Sequence, residues 1–225
     1  MNETDRAAEE SLIARRHMVE RQIRRRGIDD ERVIEAMMGV PRETFVPPEQ
    51  RKNAYADGAL PVAFGQTISQ PYIVAHMTAS LALTPACRVL EIGTGTGYQT
   101  AILARLAHHV FTVERIAVLQ DEARNRLAAL GIGNVSFFVC DGSVGLIEHA
   151  PFDRIIVTAA APSVPASLTA QLADGGVLLV PVGGRAEQTI RRVVRSGSTL
   201  IETTTLPCRF VQLFGREGWR ADDEL

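Results

Sequence analysis

With 225 residues, 46% of them hydrophobic, the chain is long enough for one substantial core and too apolar for intrinsic disorder. Its 24 Lys+Arg against 26 Asp+Glu give a formal net charge of -2, which excludes any general attraction to nucleic acid or acidic membranes; such a partner would need a local patch. No apolar run reaches the ~18 residues of a membrane span and the first five residues are polar and acidic, so a cytoplasmic protein is expected.

Residues 11–26 and 30–38 carry helical patterns. Arg15, Arg16, Arg21, Arg24, Arg25 and Arg26 make the first of these the one basic stretch of the chain. Glu9, Glu10 and Glu20 interrupt it, and Met18, Val19, Ile23 and Ile28 supply an apolar side, so a solvated helix face is favoured over a nucleic-acid surface. Residues 41–71 are rich in Pro and Gly and break regular structure, yet Phe45, Tyr55, Phe64 and Ile68 make them too apolar for disorder. A connector this long inside a compact protein is usually functional, and it is expected to pack over a ligand site as a lid.

From residue 89 onward short apolar strands, 89–92, 110–113, 135–139, 154–157 and 177–180, alternate with helical patterns. Of the latter, 116–130 stops at Gly131 and 165–172 is shorter. That alternation specifies a doubly wound, mostly parallel sheet with helices on both faces, an α/β fold. Two β-rich runs, 189–194 and 199–206, flank Ser196-Gly197-Ser198 and predict an antiparallel C-terminal hairpin on one edge. Cys87, Cys140 and Cys208 are odd in number and widely spaced, which suits a reducing compartment and small core positions better than disulfides or a metal.

The most informative run is Glu91-Ile92-Gly93-Thr94-Gly95-Thr96-Gly97, where the first strand meets a helix. Three glycines there serve either as a bare structural turn or as a loop that lets a ligand approach the backbone. A dinucleotide fingerprint needs its third glycine where Tyr98 stands, so NAD is disfavoured and S-adenosyl-L-methionine, which has no phosphate, fits better. Glu114, at the end of the next strand, stands where an acidic residue would accept both ribose hydroxyls. After the third strand, Asp141 is either a turn cap or the acceptor for an adenine amine, with Gly142 leaving room for the ring. After the fourth, Thr158-Ala159-Ala160-Ala161-Pro162 offers small residues beside the same strand ends. His17, His76, His108, His109 and His149 show no ligand spacing, so no metal is expected.

Several segments together resemble the protein-L-isoaspartate O-methyltransferase family, and the resemblance covers most of the chain. They are Met37-Met38-Gly39-Val40-Pro41-Arg42-Glu43-Thr44-Phe45-Val46-Pro47, Ala54-Tyr55-Ala56-Asp57 and Gly65-Gln66-Thr67-Ile68-Ser69-Gln70-Pro71-Tyr72 before the glycine loop. After it come Val113-Glu114-Arg115, Asp141-Gly142, Pro151-Phe152-Asp153 and Gly175-Gly176-Val177-Leu178-Leu179-Val180-Pro181-Val182-Gly183. The glycine loop is common to many methyltransferases, whereas 66–72 is particular to this family and carries the substrate assignment.

The resemblance implies a Rossmann-like methyltransferase fold in a single domain: an N-terminal helical and lid region over 1–80, a cofactor core over 81–183 and a C-terminal hairpin and tail over 184–225. It puts the active-site residue at Ser69 and cofactor positions at Glu91, Gly93, Gly95, Gly97, Glu114, Asp141 and Gly142. Thr67, Ile68, Ser69, Phe210 and Val211 fall on substrate-groove positions, Arg209-Phe210-Val211 lining that groove through its backbone. The implied reaction moves a methyl group from S-adenosyl-L-methionine to the free carboxylate of isoaspartyl residues in damaged proteins and peptides. A monomer needing neither metal, membrane nor nucleic acid is expected. Without the resemblance, Ser69 reads as a helix cap before Pro71. Methyl transfer to a small molecule or RNA base, or non-catalytic binding of the same cofactor, remain as alternatives.

Overall fold

The computed structural model describes residues 3–220, so the acidic 222–224 lies outside the described residues. Helix α1 (Glu3–Met18) runs through a π turn at Val19–Ile23 and a 3-10 turn at Arg24–Arg26 into α2 (Glu31–Gly39). Asp30 caps α2, its carboxylate accepting from the Arg32 N–H. Met18, Val19, Ile23 and Ile28 are buried as the pattern predicts. Several arginines of this stretch face acidic neighbours, among them Arg24–Glu31, Arg26–Asp57 and Arg15–Glu43.

Residues 41–71 contain three 3-10 turns and a two-stranded ribbon, β1 (Leu60–Pro61) paired antiparallel with β2 (Thr67–Ile68). Helix α3 (Pro71–Ser80) follows, with proline at its first turn where a missing N–H costs nothing. The main sheet then forms from β3 (Arg88–Ile92), β4 (His109–Glu114), β5 (Val135–Val139), β6 (Phe152–Val157), β7 (Leu172–Gly183), β8 (Gln188–Ser196) and β9 (Thr199–Cys208). Its order is β5-β4-β3-β6-β7-β8-β9, parallel from β5 to β7 and antiparallel from β7 to β9.

Between the strands lie α4 (Tyr98–Ala104), α5 (Ala117–Ala129) and α6 (Ala166–Ala170). Successive strand residues divide between the faces. Leu90, Ile92, Ile155, Val157, Leu178 and Val180 join one core with Leu168 of α6. Val89, Ile156, Val177 and Leu179 join the other with Met77 of α3 and Leu103 of α4. A third cluster, including Ile23, Met37, Phe45, Val74, Tyr98 and Leu127, packs the N-terminal cap against α3, α4 and α5.

Strand β7 exceeds the expected 177–180 because it is paired on both sides, with β6 and β8, and a register shift lets it start at Leu172. Cysteine burial departs from expectation. Cys87 is buried, Cys208 is half-buried with its thiol pKa pushed up to about 11 by burial, and Cys140 is exposed. Cys140 follows β5, which forms an edge of the sheet, so no neighbouring strand covers it. Among the described residues no helix is long and apolar enough to cross a membrane, and no cluster of His, Cys, Asp or Glu could hold a metal.

Candidate active site

In a doubly wound sheet ligands bind where the strand order reverses, outside the carboxyl ends of the strands. Here the reversal lies between β3, which feeds outward to β4 and β5, and β6, which pairs with the other side of β3. A cleft with about 820 Å³ of space, partly open to solvent, sits there. Its walls come from 66–69 of the ribbon segment, Val74 of the helix after it, the glycine loop and the start of the helix that follows it, the ends of β3, β4 and β6, Gly142 beyond β5, and 211–214 after β9.

Gly93, Gly95 and Gly97 have φ of +96°, +52° and +89°, conformations that side chains with a Cβ resist. The backbone N–H groups of Gly93 and Thr94 donate to Val113, that of Gly95 to Glu114 Oε2 at 3.0 Å, and that of Gly97 to Thr94. With these donors already used, the loop serves as a tight turn and a close backbone approach rather than as a phosphate cradle. That separates it physically from a dinucleotide loop. Thr158, on the next strand end, closes the turn from the other side by donating to the Gly93 carbonyl at 2.7 Å.

Among the described residues, Glu114 is the one acidic residue lining the cleft. Its Oε1 accepts from the backbone of Arg115 and Ile116 while Oε2 takes Gly95, so the carboxylate is fixed in place with lone pairs to spare for hydroxyl donors. Gly142 also lines the cleft, and a Cβ there would lie 2.5 Å from Ile92 Cγ2, so only glycine leaves the space open. Ile92, Val113, Leu213 and Phe214 supply apolar surface beside these polar groups. One fixed carboxylate, apolar walls and a glycine gap suit a nucleoside ligand without phosphates.

Thr67, Ile68 and Ser69 face this arrangement from the ribbon, and Val211 from the C-terminal segment. The helix-cap reading of Ser69 does not hold: Gln70 takes the cap position of α3 and no side chain caps it. Instead the Ser69 carbonyl accepts from Arg42 Nη2 at 2.8 Å, and the residue lines the cleft.

Four other expected site residues stand outside the cleft lining. Glu91 is fully buried beneath the loop, accepting from Thr100 and Thr112 hydroxyls, both at 2.6 Å; burial lifts its pKa to about 7. Gly97 packs against Ala123 and Leu127 of α5, which leave no room for a Cβ. Asp141 caps a 3-10 turn through Ser143 and accepts the Arg216 N–H at 2.8 Å. Burial alone would raise its pKa, but the bonds from Arg216 and Ser143 hold it below the usual range. Phe210 lines an adjoining groove instead.

The cleft also contains residues that pattern reading missed, including Thr94, Thr96, Gln99, Gln212, Leu213 and Phe214. The last three arrive because 211–219 folds back over the end of β6. The Ala160 N–H donates to the Val211 carbonyl, and the Ala160 carbonyl accepts from the Leu213 N–H and from Trp219 Nε1, the latter at 3.0 Å. The single tryptophan was the only signal of this closure.

The sheet order and the glycine loop with internally bonded N–H groups define a Rossmann-like methyltransferase fold. The model of the protein-L-isoaspartate(D-aspartate) O-methyltransferase (PCMT) family matches residues 13–218. The chain is 51% identical over 212 residues to protein-L-isoaspartate O-methyltransferase 2 of Geotalea uraniireducens, covering 94% of this chain and 98% of the relative. It is 55% identical over 192 residues to the protein-L-isoaspartate O-methyltransferase of Cronobacter sakazakii, covering 85% and 92%. A solved protein-L-isoaspartate O-methyltransferase superposes with a TM-score of 0.81 at 29% identity, over 91% of this chain and 67% of that one. A Plasmodium falciparum PCMT structure in complex with S-adenosyl-L-homocysteine shares the fold, with a TM-score of 0.76 at 24% identity over 88% and 96%. The chain belongs to the protein-L-isoaspartate(D-aspartate) O-methyltransferase family.

Proposed function

We infer that this protein is an S-adenosyl-L-methionine-dependent methyltransferase that esterifies the free carboxylate of isoaspartyl residues in damaged proteins and peptides. The methyl ester then closes to a succinimide, which reopens partly as normal aspartate. The observation that carries the reading is the family match across 13–218, which includes every wall of the cleft. The reading takes the chain as one domain in three parts, 1–80, 81–183 and 184–225. It also takes the enzyme as a cytoplasmic monomer needing no metal, membrane or nucleic acid, which the three free cysteines and near-neutral charge support.

S-adenosyl-L-methionine supplies an electrophilic methyl group. The residues around it bind, orient and exclude water. Glu114 holds the ribose hydroxyls, Gly142 leaves room for the adenine ring, and Gly93 and Gly95 let the backbone come close. Glu91, Gly97 and Asp141 act from behind: Glu91 through Thr100 and Thr112 under the loop, Gly97 by seating it on α5, and Asp141 by fixing the turn before Gly142.

The acceptor carboxylate, with a solution pKa near ~4, is already ionised at neutral pH, so no general base is needed. What matters is alignment of oxygen, methyl carbon and sulfur, and shielding of the carboxylate from water. Ser69 donates its hydroxyl to that carboxylate, while Thr67, Ile68, Phe210 and Val211 line the path of the peptide. Isoaspartate differs from aspartate by an extra backbone methylene, so a groove that reads chain path distinguishes them.

The test is methyl transfer from labelled S-adenosyl-L-methionine to a synthetic isoaspartyl peptide beside the matched aspartyl peptide. Labelling of the isoaspartyl peptide alone is expected. Equal labelling of both would refute the selectivity. No labelling of either with retained cofactor binding would point to another acceptor or a binding module.

A further inference from the structure

Next to the cofactor cleft runs a second groove, lined by Phe64, Gly65, Gln66, Arg115, Arg185, Gln188, Arg209, Phe210, Val211, Gln212 and Phe214. Gln66, Arg115, Val211, Gln212 and Phe214 also border the cleft, so the two are continuous. Among the described residues, three arginines and no acidic residue line this groove, in a chain whose net charge is -2. All three are exposed, and none is joined to a carboxylate among the ion pairs of the described residues. In the N-terminal stretch, by comparison, Arg6, Arg15, Arg24, Arg25 and Arg26 have acidic partners, while Arg16 and Arg21 have no ion pair among the described residues.

Phe64 adds a second, independent feature. It is 54% exposed at the groove wall and holds a left-handed backbone, φ +59° and ψ +32°, that a bulky residue adopts only at a cost. It thereby presents an aromatic face to solvent beside three unpaired cations. Arg115 is kept in position by stacking on Phe214, with its guanidinium 4.9 Å from the ring centroid.

We propose that this groove is a specificity element that selects isoaspartyl sites flanked by acidic residues, with Arg185 and Arg209 as the determinants and Arg115 at the junction with the cleft. The proposal rests on the isoaspartyl reading above. The physical case is charge complementarity: an unpaired guanidinium gains most from a carboxylate, and a peptide whose isoaspartate occupies the cleft must continue past its rim. An acidic flank suits this surface, and a lysine flank would meet like charge at Arg185 and Arg209.

The experiment uses three labelled isoaspartyl peptides that differ only in flanks of Asp/Glu, Ser/Ala or Lys, placed on each side of the isoaspartate in turn. Binding to the full chain with S-adenosyl-L-homocysteine present is read by fluorescence anisotropy, and methylation is read separately. Acidic flanks on at least one side are expected to bind roughly tenfold tighter than lysine flanks, the order of two exposed ion pairs, and to lose most of that advantage at high salt. In the double variant Arg185→Glu with Arg209→Glu, the acidic-to-lysine ratio should fall to one or invert. A ratio near one in the unaltered protein on both sides, or one that survives the double variant, would overturn the proposal. So would displacement of the acidic peptide by a single-stranded oligonucleotide at equal or lower concentration, which would assign the groove to nucleic acid. Failure to methylate the Ser/Ala peptide would instead count against the isoaspartyl reading, while the binding ratio still decides the groove.

Discussion

Glu91 offers the sharpest quantitative test of how the glycine loop is supported. Its carboxyl group is fully buried, with Oε2 bonded to Thr100 and Thr112 and Oε1 without a partner. Burial raises its pKa from the ordinary 4.5 to about 7; the two threonine hydroxyls oppose this, and nearby Glu114 adds to it. Because the folded pKa lies above the unfolded one, the protonated form favours the fold. Its contribution is intact below pH 4.5 and is lost as pH rises toward 7. With those two values the ionisation costs the fold about 1 kcal/mol at pH 5 and about 3 kcal/mol at pH 8, a change of about 2 kcal/mol. Glu91→Gln cannot ionise. An orphaned amide would shift its whole stability curve by roughly 1–3 kcal/mol, but it would not alter the slope. Urea unfolding of both proteins from pH 5 to pH 8 should show the wild type losing about 2 kcal/mol relative to the variant. Curves that run parallel within about 0.5 kcal/mol would refute the assignment of a proton to Glu91.

Ser69→Ala should lower kcat/KM roughly tenfold, the order of one charge-assisted hydrogen bond, and leave the melting temperature unchanged, because no hydrogen bond ties the hydroxyl to another group among the described residues. Full retention of kcat/KM would remove the hydroxyl from the chemistry. Gly93→Ala should destabilise by about 2–4 kcal/mol, since its Cβ would collide with the Thr158 hydroxyl at a φ of +96°. Gly95→Ala, at φ +52° with nothing within 4 Å, should cost only about 1 kcal/mol; equal losses in urea melts would show that the Thr158 contact does not matter.

What the sequence reveals and what it hides follow from the range of the forces involved. The parallel strands are legible because burial on both faces demands continuous apolar runs, and Gly131 and Gly197 mark their turns by positive φ, a local requirement. Glu114 is legible because its position at a strand end fixes where its carboxylate points. Asp141 was ambiguous because a cap and a ligand acceptor need the same residue after the same strand, and the structure shows the carboxylate engaged in capping and in holding Arg216. The closure of 211–219 over β6 was hidden, since it depends on pairing between residues about 50 positions apart that leaves no periodicity. Cys140 misled because an apolar run cannot tell an edge strand from a central one.

Arg42 marks the limit of sequence reading most clearly, since arginine is ordinarily a surface residue and this one is fully buried. Burial pushes its pKa down, and no carboxylate compensates it. A buried ion costs least where its protons find acceptors. Here Nε donates to the Ala54 carbonyl at 2.7 Å, Nη2 donates to that of Ser69 at 2.8 Å, and the guanidinium lies 4.8 Å from the centroid of the Tyr98 ring, while Nη1 has no hydrogen-bond partner among the described residues. Those three partners belong to the cap, to the ribbon end at the cleft and to the helix that follows the glycine loop. One planar cation therefore sets the distance between the two walls, which lysine with its single point charge would not do. It also bears on the chemistry. A reaction without a general base depends on holding an anion in place. A carboxylate bound at Ser69 would lie in the field of a cation that is screened little by water and neutralised by no neighbouring acid.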